Sequence, residues 1–537
     1  MASATAVSKK EWSVDGPSEV HHGEKSSEFR QHIGRVSRHS SVYFSGRVFA
    51  VTAGYFFKVY LTRELGAEAL GTYALGLTLI GTLGICNEFG LSRSATRFVS
   101  AYQATARFDL LRGLLFRSIF VLLFSNFLFV PLLLLAGPMI ATHVYHAPAL
   151  RNDLWIFAAL MFFATFNVFF GRVLAGYKQV ARNTMLTTFL GMPLMMLSTV
   201  VFVAIGWGLR GYLIAQATAD CVVFIFLAAT VWKLTPKKAR AFAWPLPKLE
   251  SRVISFSAVA LAMEFLGFLI LHADKVFLGY YLHPREVGIY AVAVGITAFV
   301  PIILQSVNQI FAPTISDLHS RHEHRLMERM FQTLTKWIFG LTFPLAATVI
   351  IFSKPLMRIF GPDFEAGWIV LIVGTVGQLV NCVVGSSGSL LLMSGNEKHL
   401  LKMHVFTAIV SIGLDITLIR SFGMLGAVVA AATANVLINL WYLKGAYDRL
   451  DVLPYNRSYF RLIPAFAFTL MSLLVVDHFI SGVNKWLVLI LAGIVAYASF
   501  LCAALMMGLD ADDRLITSAI WARVKGMFQR EEVEVSA

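Results

Sequence analysis

The sequence predicts an all-α integral membrane protein with about 14 transmembrane helices, and three observations carry that expectation. Hydrophobic residues make up 57% of the 537-residue chain and charged residues 14%, against about 25% charged in a soluble domain. The mean hydropathy is +0.69. Apolar stretches such as 113–136 and 486–508 exceed the ~18–20 residues a helix needs to cross hydrocarbon. Helices satisfy their own backbone groups, which lipid cannot do. The ~10-residue alternating segments of a closed barrel do not occur in this sequence.

Taken in order, residues 1–40 are polar and lack the apolar run of a signal peptide; a disordered cytosolic tail is expected there. Apolar runs between polar breaks then predict helices near 41–62, 69–90, 113–136, 153–176, 185–207 and 211–232, an N-lobe over 41–233. A basic cytosolic linker, 234–251, follows. A C-lobe over 252–446 carries helices near 254–281, 287–312, 335–356, 366–394, 399–420 and 423–444. Two further helices, 462–481 and 485–508, lie within 447–508, and 509–537 is expected as a cytosolic tail. Cys86, Cys221, Cys382 and Cys502 all fall in apolar segments, where a thiol packs as a small hydrophobe.

The net charge of +14 is loop charge. With the N-terminus inside, and charges within a turn of a span end counted with the adjoining loop, 32 of the 45 Lys and Arg fall on the cytosolic side. Eight fall on the other side, and five (Arg47, Lys58, Arg117, Arg172 and Lys275) stay within spans. Basic loops resist translocation, so the bias supports both the span count and the direction. It leaves no need for a nucleic-acid partner. The loops are too short to hold an appended catalytic domain, and no Walker motif is present. A transporter is expected rather than an enzyme, with no metal and no cofactor.

The chain is internally duplicated. Residues 58–75 (KVYLTRELGAEALGTYAL) align without a gap on 275–292 (KVFLGYYLHPREVGIYAV). Lys58 meets Lys275, Gly71 meets Gly288 and Tyr73 meets Tyr290. Residues 208–220 and 423–435 repeat in the same way, and Gly171 echoes Gly388. Six helices per repeat is an even number, so both lobes run the same way and are related by a pseudo-twofold axis along the membrane normal. That architecture suits alternating access, with one lobe rocking on the other around a central cavity.

Several of these stretches resemble Wzx-type polysaccharide biosynthesis flippases. They are Leu65-Gly66 with Leu70-Gly71-Thr72-Tyr73, Glu88-Phe89-Gly90-Leu91 with Arg97-Phe98-Val99-Ser100, Ala273-Asp274-Lys275 with Val287-Gly288-Ile289-Tyr290, and Pro355–Gly361. The resemblance covers roughly 40–450 and extends to the MOP superfamily, with its MATE exporters and lipid II flippases. It implies an undecaprenyl-diphosphate-linked oligosaccharide as substrate, carried between leaflets of the bacterial inner membrane for exopolysaccharide, capsule or O-antigen synthesis. Membrane lipid, polysaccharide polymerase and export proteins are its implied partners. A MATE-type exporter of organic cations, a lipid II flippase and a membrane-bound ligase or polymerase are the alternatives.

Charged side chains inside spans are costly and functional by default. An anionic head group calls for cations, so Arg47, Lys58, Arg172 and Lys275 are expected to line a cationic cavity; for each the bland alternative is snorkelling to the interface. Glu264 sits mid-span, where it cannot snorkel far. It is expected to couple transport to a proton or cation, or to pair with Arg47 or Lys58. Asp274 is a second coupling or cavity acid. Asn87 and Glu88, followed by Arg93 and Arg97, read as a salt-bridged membrane face, and Asp415 as a buried acid without an assigned partner.

Overall fold

The computed structural model describes residues 20–240, 247–321, 323–479, 485–508, 510, 513 and 514, leaving aside the side chains of 20–45, 47, 48, 310, 312, 313 and 320. Among the described residues the regular structure is entirely helical.

The first lobe opens with α1 (Val20–Glu88), which is broken at Gly66. Its backbone is already helical from Val20, within the stretch read as a disordered tail; no proline interrupts the sequence from there to Pro131. Then come α2 (Leu91–Ala104), α3 (Phe108–Met139) and α4 (Pro148–Gly176). The lobe closes with α5 (Val180–Ala204) and α6 (Gly208–Leu234). The second lobe holds α7 (Ser251–Tyr281), α8 (Pro284–Thr297), α9 (Ile302–Ser320) and α10 (His324–Ile351). It continues through α11 (Pro362–Val384), α12 (Ser387–Met393) and α13 (Glu397–Leu450), which is broken at Gly423. The final pair is α14 (Ile463–Phe479) and α15 (Lys485–Met506).

Eleven helices are long and apolar enough to cross a membrane, or twelve if α8 and α9, bent by 50°, form one span. The expected fourteen is reached only when α1 and α13 are each counted as two limbs. Both breaks are backbone reversals at a positive φ, 78° at Gly66 and 58° at Gly423, a region open to glycine without steric cost. In α13 a Cβ at Gly426 would lie 2.0 Å from the carbonyl oxygen of Leu418. In a straight helix those residues stand ~12 Å apart, so the limbs fold back on each other.

The breaks follow the repeat. The turn at Gly66 matches the gap between α7 and α8, and the gap between α5 and α6 matches Gly423. Large apolar side chains such as Phe127, Leu135, Leu197 and Phe479 are exposed on the outside, as lipid contact requires. The core lies inside: Leu75, Phe157, Tyr290, Leu371 and Phe360 are fully buried in one cluster that runs through both lobes.

The turns at 105–107 and 177–179 and the residues 235–240 and 247–250 share one end of the bundle, called here the basic end. The opposite end carries the turn at Gly66 and the ion pairs Arg210–Asp153 (2.8 Å) and Arg285–Asp363 (2.9 Å).

Candidate functional site in the cavity between the lobes

A cavity of about 800 Å³ lies between the lobes, within the size range of small-molecule sites. Its wall is built from the second limb of α1, from α4, α5, α6, α7 and α8, and from the part of the first limb nearest the turn. Much of that wall is the repeated segment itself. Lys58 and Lys275, equivalent in the duplication, both line the space, as do Tyr73, Tyr212, His272 and Glu88.

The lobes meet along two seams that flank the cavity. At the opposite end the second limb of α1 crosses α8 at their equivalent glycines. A Cβ at Gly71 would lie 1.6 Å from the Pro284 carbonyl oxygen, and one at Gly288 would lie 2.0 Å from that of Ala67. Only residues without a side chain allow backbones so close. Toward the basic end, α2 of the first lobe lies along α7 of the second. Arg93 pairs with Glu264, the Ser94 and Ser257 hydroxyls are 2.6 Å apart, and Arg97 lies over the Phe256 ring. Tyr102 and Arg107 both donate to Glu250, at 2.8 and 3.2 Å.

The charges sort into two groups. Nearer the opposite end, a Cβ on Gly295 would lie 2.3 Å from the Lys58 Nζ, so the missing side chain makes room for the ammonium. Among the described residues Lys58 has no hydrogen bond or ion pair, and the Lys275 charge acts on it. Lys275 Nζ lies 3.4 Å from Asp274 Oδ1, 3.4 Å from His272 Nδ1 and 3.3 Å from the Leu271 carbonyl oxygen. Asp274 is held from two sides: the Lys275 backbone N–H donates to Oδ1 (2.8 Å) and the Tyr290 hydroxyl to Oδ2 (2.6 Å). Asp415, on the first limb of α13, is 2% exposed and leaves Oδ1 without a hydrogen bond. Its charge acts on both Asp274 and Tyr290. The second group lies at the cavity floor, where Glu88 feels Glu264, Arg172 and Arg93.

The residues singled out from sequence therefore part company. Lys58 and Lys275 share the cavity, and Asp274 touches Lys275 beside it. Glu264 pairs not with Lys58 but with Arg93 in the seam. The reason is that α2 continues the fold of α1 below the membrane face expected at residue 90, which brings Arg93 up to α7. Arg172 is exposed near the basic end of α4 and is absent from the cavity wall. The Arg47 side chain lies outside the described residues.

Sequence reading missed Glu88 as a lining group, and with it an aromatic platform on the first lobe. There the Tyr212 hydroxyl donates to that of Tyr73 (3.2 Å), which donates to Gln216 Oε1 (3.0 Å). Tyr73 lay within the repeat and was the available signal. Behind Glu88, Asn87 is fully buried and donates to Asn126 and Thr165, both at 3.0 Å.

Comparison with known proteins agrees with this architecture. The family model described as polysaccharide biosynthesis protein matches residues 60–365. A relative from Haloferax volcanii, described as the probable low-salt glycan biosynthesis flippase Agl15, is 23% identical over 423 residues, covering 76% of this chain and 83% of the relative. Among solved structures, the lipid II flippase MurJ in an inward closed conformation superposes with a TM-score of 0.68 at 15% identity, covering 86% of this chain and 97% of MurJ. An inward-facing MATE multidrug transporter gives 0.65 at 14% identity, covering 74% of this chain and 94% of the transporter. This chain belongs to the polysaccharide biosynthesis protein family of membrane flippases, with the fold of the MOP superfamily.

Proposed function

We propose that this protein flips an undecaprenyl-diphosphate-linked oligosaccharide, receiving the head group from the basic, cytosolic end and releasing it at the other. The observation that carries the reading is the lysine pair. Two like charges from equivalent positions of the repeat face one cavity. Outside water, repulsion between like charges makes such a pair unfavourable until an anion sits between them. A diphosphate supplies that anion, and its charge-assisted hydrogen bonds are roughly twice as strong as neutral ones. A prenyl chain can stay in lipid while only the polar head passes the ~30 Å of hydrocarbon.

The walls fit a glycan as well as a diphosphate. Tyr73 and Tyr212 offer hydroxyl groups beside aromatic faces, with Gln216 holding the Tyr73 hydroxyl from behind, the mixed apolar and polar lining that fixes a ligand's orientation. Rocking of the lobes about the Gly71–Gly288 crossing, with release of the α2–α7 seam, would expose this cavity to alternate sides. We read Asp274 and Asp415 as the coupling acids, because Asp415 is a buried carboxyl with an unused oxygen beside a second carboxylate. Glu264 is committed to Arg93.

The test is flipping of a fluorescent lipid-linked oligosaccharide by purified protein in vesicles. Lys58→Gln and Lys275→Gln are each expected to slow it by about tenfold or more, since a hydrogen bond to a charged group contributes ~1.5–3 kcal/mol. Wild-type flipping by the double variant would overturn the reading. So would efflux of organic cations without glycan transport.

A further inference from the structure

A separate cavity of about 190 Å³ lies between α10, α15 and the residues 458–462 that lead into α14, at the basic end. It shares no residue with the space between the lobes. Its walls are mostly apolar, with Gly340, Leu341, Phe500 and Leu505 among the lining residues. Its rim is charged, and the charges come in two layers. The inner layer is buried: Lys336 is 5% exposed, with its Nζ 2.6 Å from Asp513 Oδ1 and 3.2 Å from Ser458 Oγ. Trp337 Nε1 donates to the same Asp513 at 3.0 Å. This layer fastens the chain beyond α15 onto α10.

The outer layer is more open and is joined to the inner one by Asp510, whose Oδ2 lies 3.5 Å from Lys336 Nζ. Arg461 Nη1 lies 2.9 Å from Asp510 Oδ1, with the two side chains 63% and 30% exposed. The rim therefore has no net charge, yet it presents a guanidinium and a carboxylate side by side to the medium. From Phe500 to Met506, α15 runs ~9 Å along the cavity, within the depth of one leaflet's hydrocarbon, half of ~30 Å.

We propose that this cavity holds one zwitterionic aminophospholipid of the adjoining leaflet. Its phosphate takes the Arg461 guanidinium, its ammonium takes the Asp510 carboxylate, and one acyl chain enters between Gly340, Leu341, Phe500 and Leu505. Charge complementarity selects this class. A purely anionic head group would meet the carboxylates of Asp510 and Asp513 as well as the arginine. A quaternary ammonium has no N–H to donate to Asp510. A free phosphate would leave the apolar slot empty. The site also gives the appended helices a task distinct from transport: a lipid wedged against α10 couples the α14–α15 pair to its leaflet.

The experiment is native mass spectrometry of the full chain released from detergent. It is titrated with phosphatidylethanolamine, phosphatidylcholine and phosphatidylglycerol of identical acyl chains. Wild-type protein is expected to bind phosphatidylethanolamine about tenfold more tightly than the other two, the discrimination one charge-assisted hydrogen bond gives. Asp510→Asn is expected to reduce it to the phosphatidylcholine level. Arg461→Gln, at an exposed position that folding tolerates, is expected to weaken the two zwitterionic lipids together. Gly340→Leu should exclude all three, because a Cβ there already lies 3.1 Å from the Phe500 ring. Equal binding of the three lipids, a preference for phosphatidylglycerol, binding unaltered in Gly340→Leu, or a phosphatidylethanolamine preference that survives both Asp510→Asn and Arg461→Gln would each overturn the proposal.

Discussion

Lys58 owes its position to a residue that has no side chain. Gly295 of α8 leaves the space its ammonium occupies, at 2.3 Å from where a Cβ would sit. Gly295→Ala therefore separates function from folding. Alanine in place of a helical glycine favours the helix by up to roughly 1 kcal/mol, less in a last turn such as that of Gly295, so the melting temperature in detergent should hold or rise. Glycan flipping should nonetheless fall toward the rate of Lys58→Gln, because the ammonium is displaced from the cavity. A variant that melts early, or one that flips normally, would show that Gly295 does not position Lys58. At this scale the sequence was partly legible. Lys58, Lys275 and Asp274 stood out because a charge inside an apolar repeat has few excuses. Arg172 stood out for the same reason and is exposed, because a charge near a helix end has an interface to reach. Glu88 was read as part of the membrane face, since nothing local says that the helix resumes after Gly90. Tyr73 and Tyr212 were hidden by their type, tyrosine being common in any membrane core.

α2 is the element whose role was least visible beforehand. It is an amphipathic continuation at the basic end, short enough to pass for a loop, and it carries one side of the contact between lobes. Its entry is tight: a Cβ at Gly90 would lie 2.2 Å from the Ser257 carbonyl oxygen, so α2 begins pressed against the backbone of α7. The Arg93–Glu264 pair lies just beyond, with side chains 46% and 20% exposed. Removing only one partner strands the other charge, which costs more than removing both. Arg93→Gln is therefore expected to destabilise the protein more than the Arg93→Gln/Glu264→Gln double variant does. Partial exposure limits the coupling to about 1 kcal/mol, the upper range for exposed pairs. Thermal unfolding of the wild type, both single variants and the double variant gives that coupling directly. Additive losses would remove the pair from the seam's energetics. The same four proteins test the gate: once the pair is gone, accessibility of the cavity from the basic end should rise even where stability recovers.

For the molecule as a whole, the duplication was the most legible feature, because equivalent residues meet in space as well as in alignment. Gly71 and Gly288 occupy the same place in the two repeats and touch each other's helices, as residues on or beside a twofold axis must. The number of spans was less legible: eleven or twelve helices are long and apolar enough to cross, and fourteen requires dividing α1 and α13 at single glycines. The crossing itself decides which way the cavity can open. Backbones this close leave no volume for a side chain, and neither glycine can yield without moving its helix, so a larger residue must separate the lobes at the opposite end. Gly71→Leu and Gly288→Leu are thus expected to have the same consequence although they lie in different halves of the chain. Each should lengthen the distance between spin labels at Glu64 and Arg285, by at least the ~2 Å or more that the overlap with the facing carbonyl demands, and each should slow flipping by blocking return to the state seen here. If only one variant moved the labels, the contact would be an ordinary packing site of one lobe. An equal response from both would mean that the opposite end closes as a single joint, built twice from one ancestral segment and shared by the two lobes.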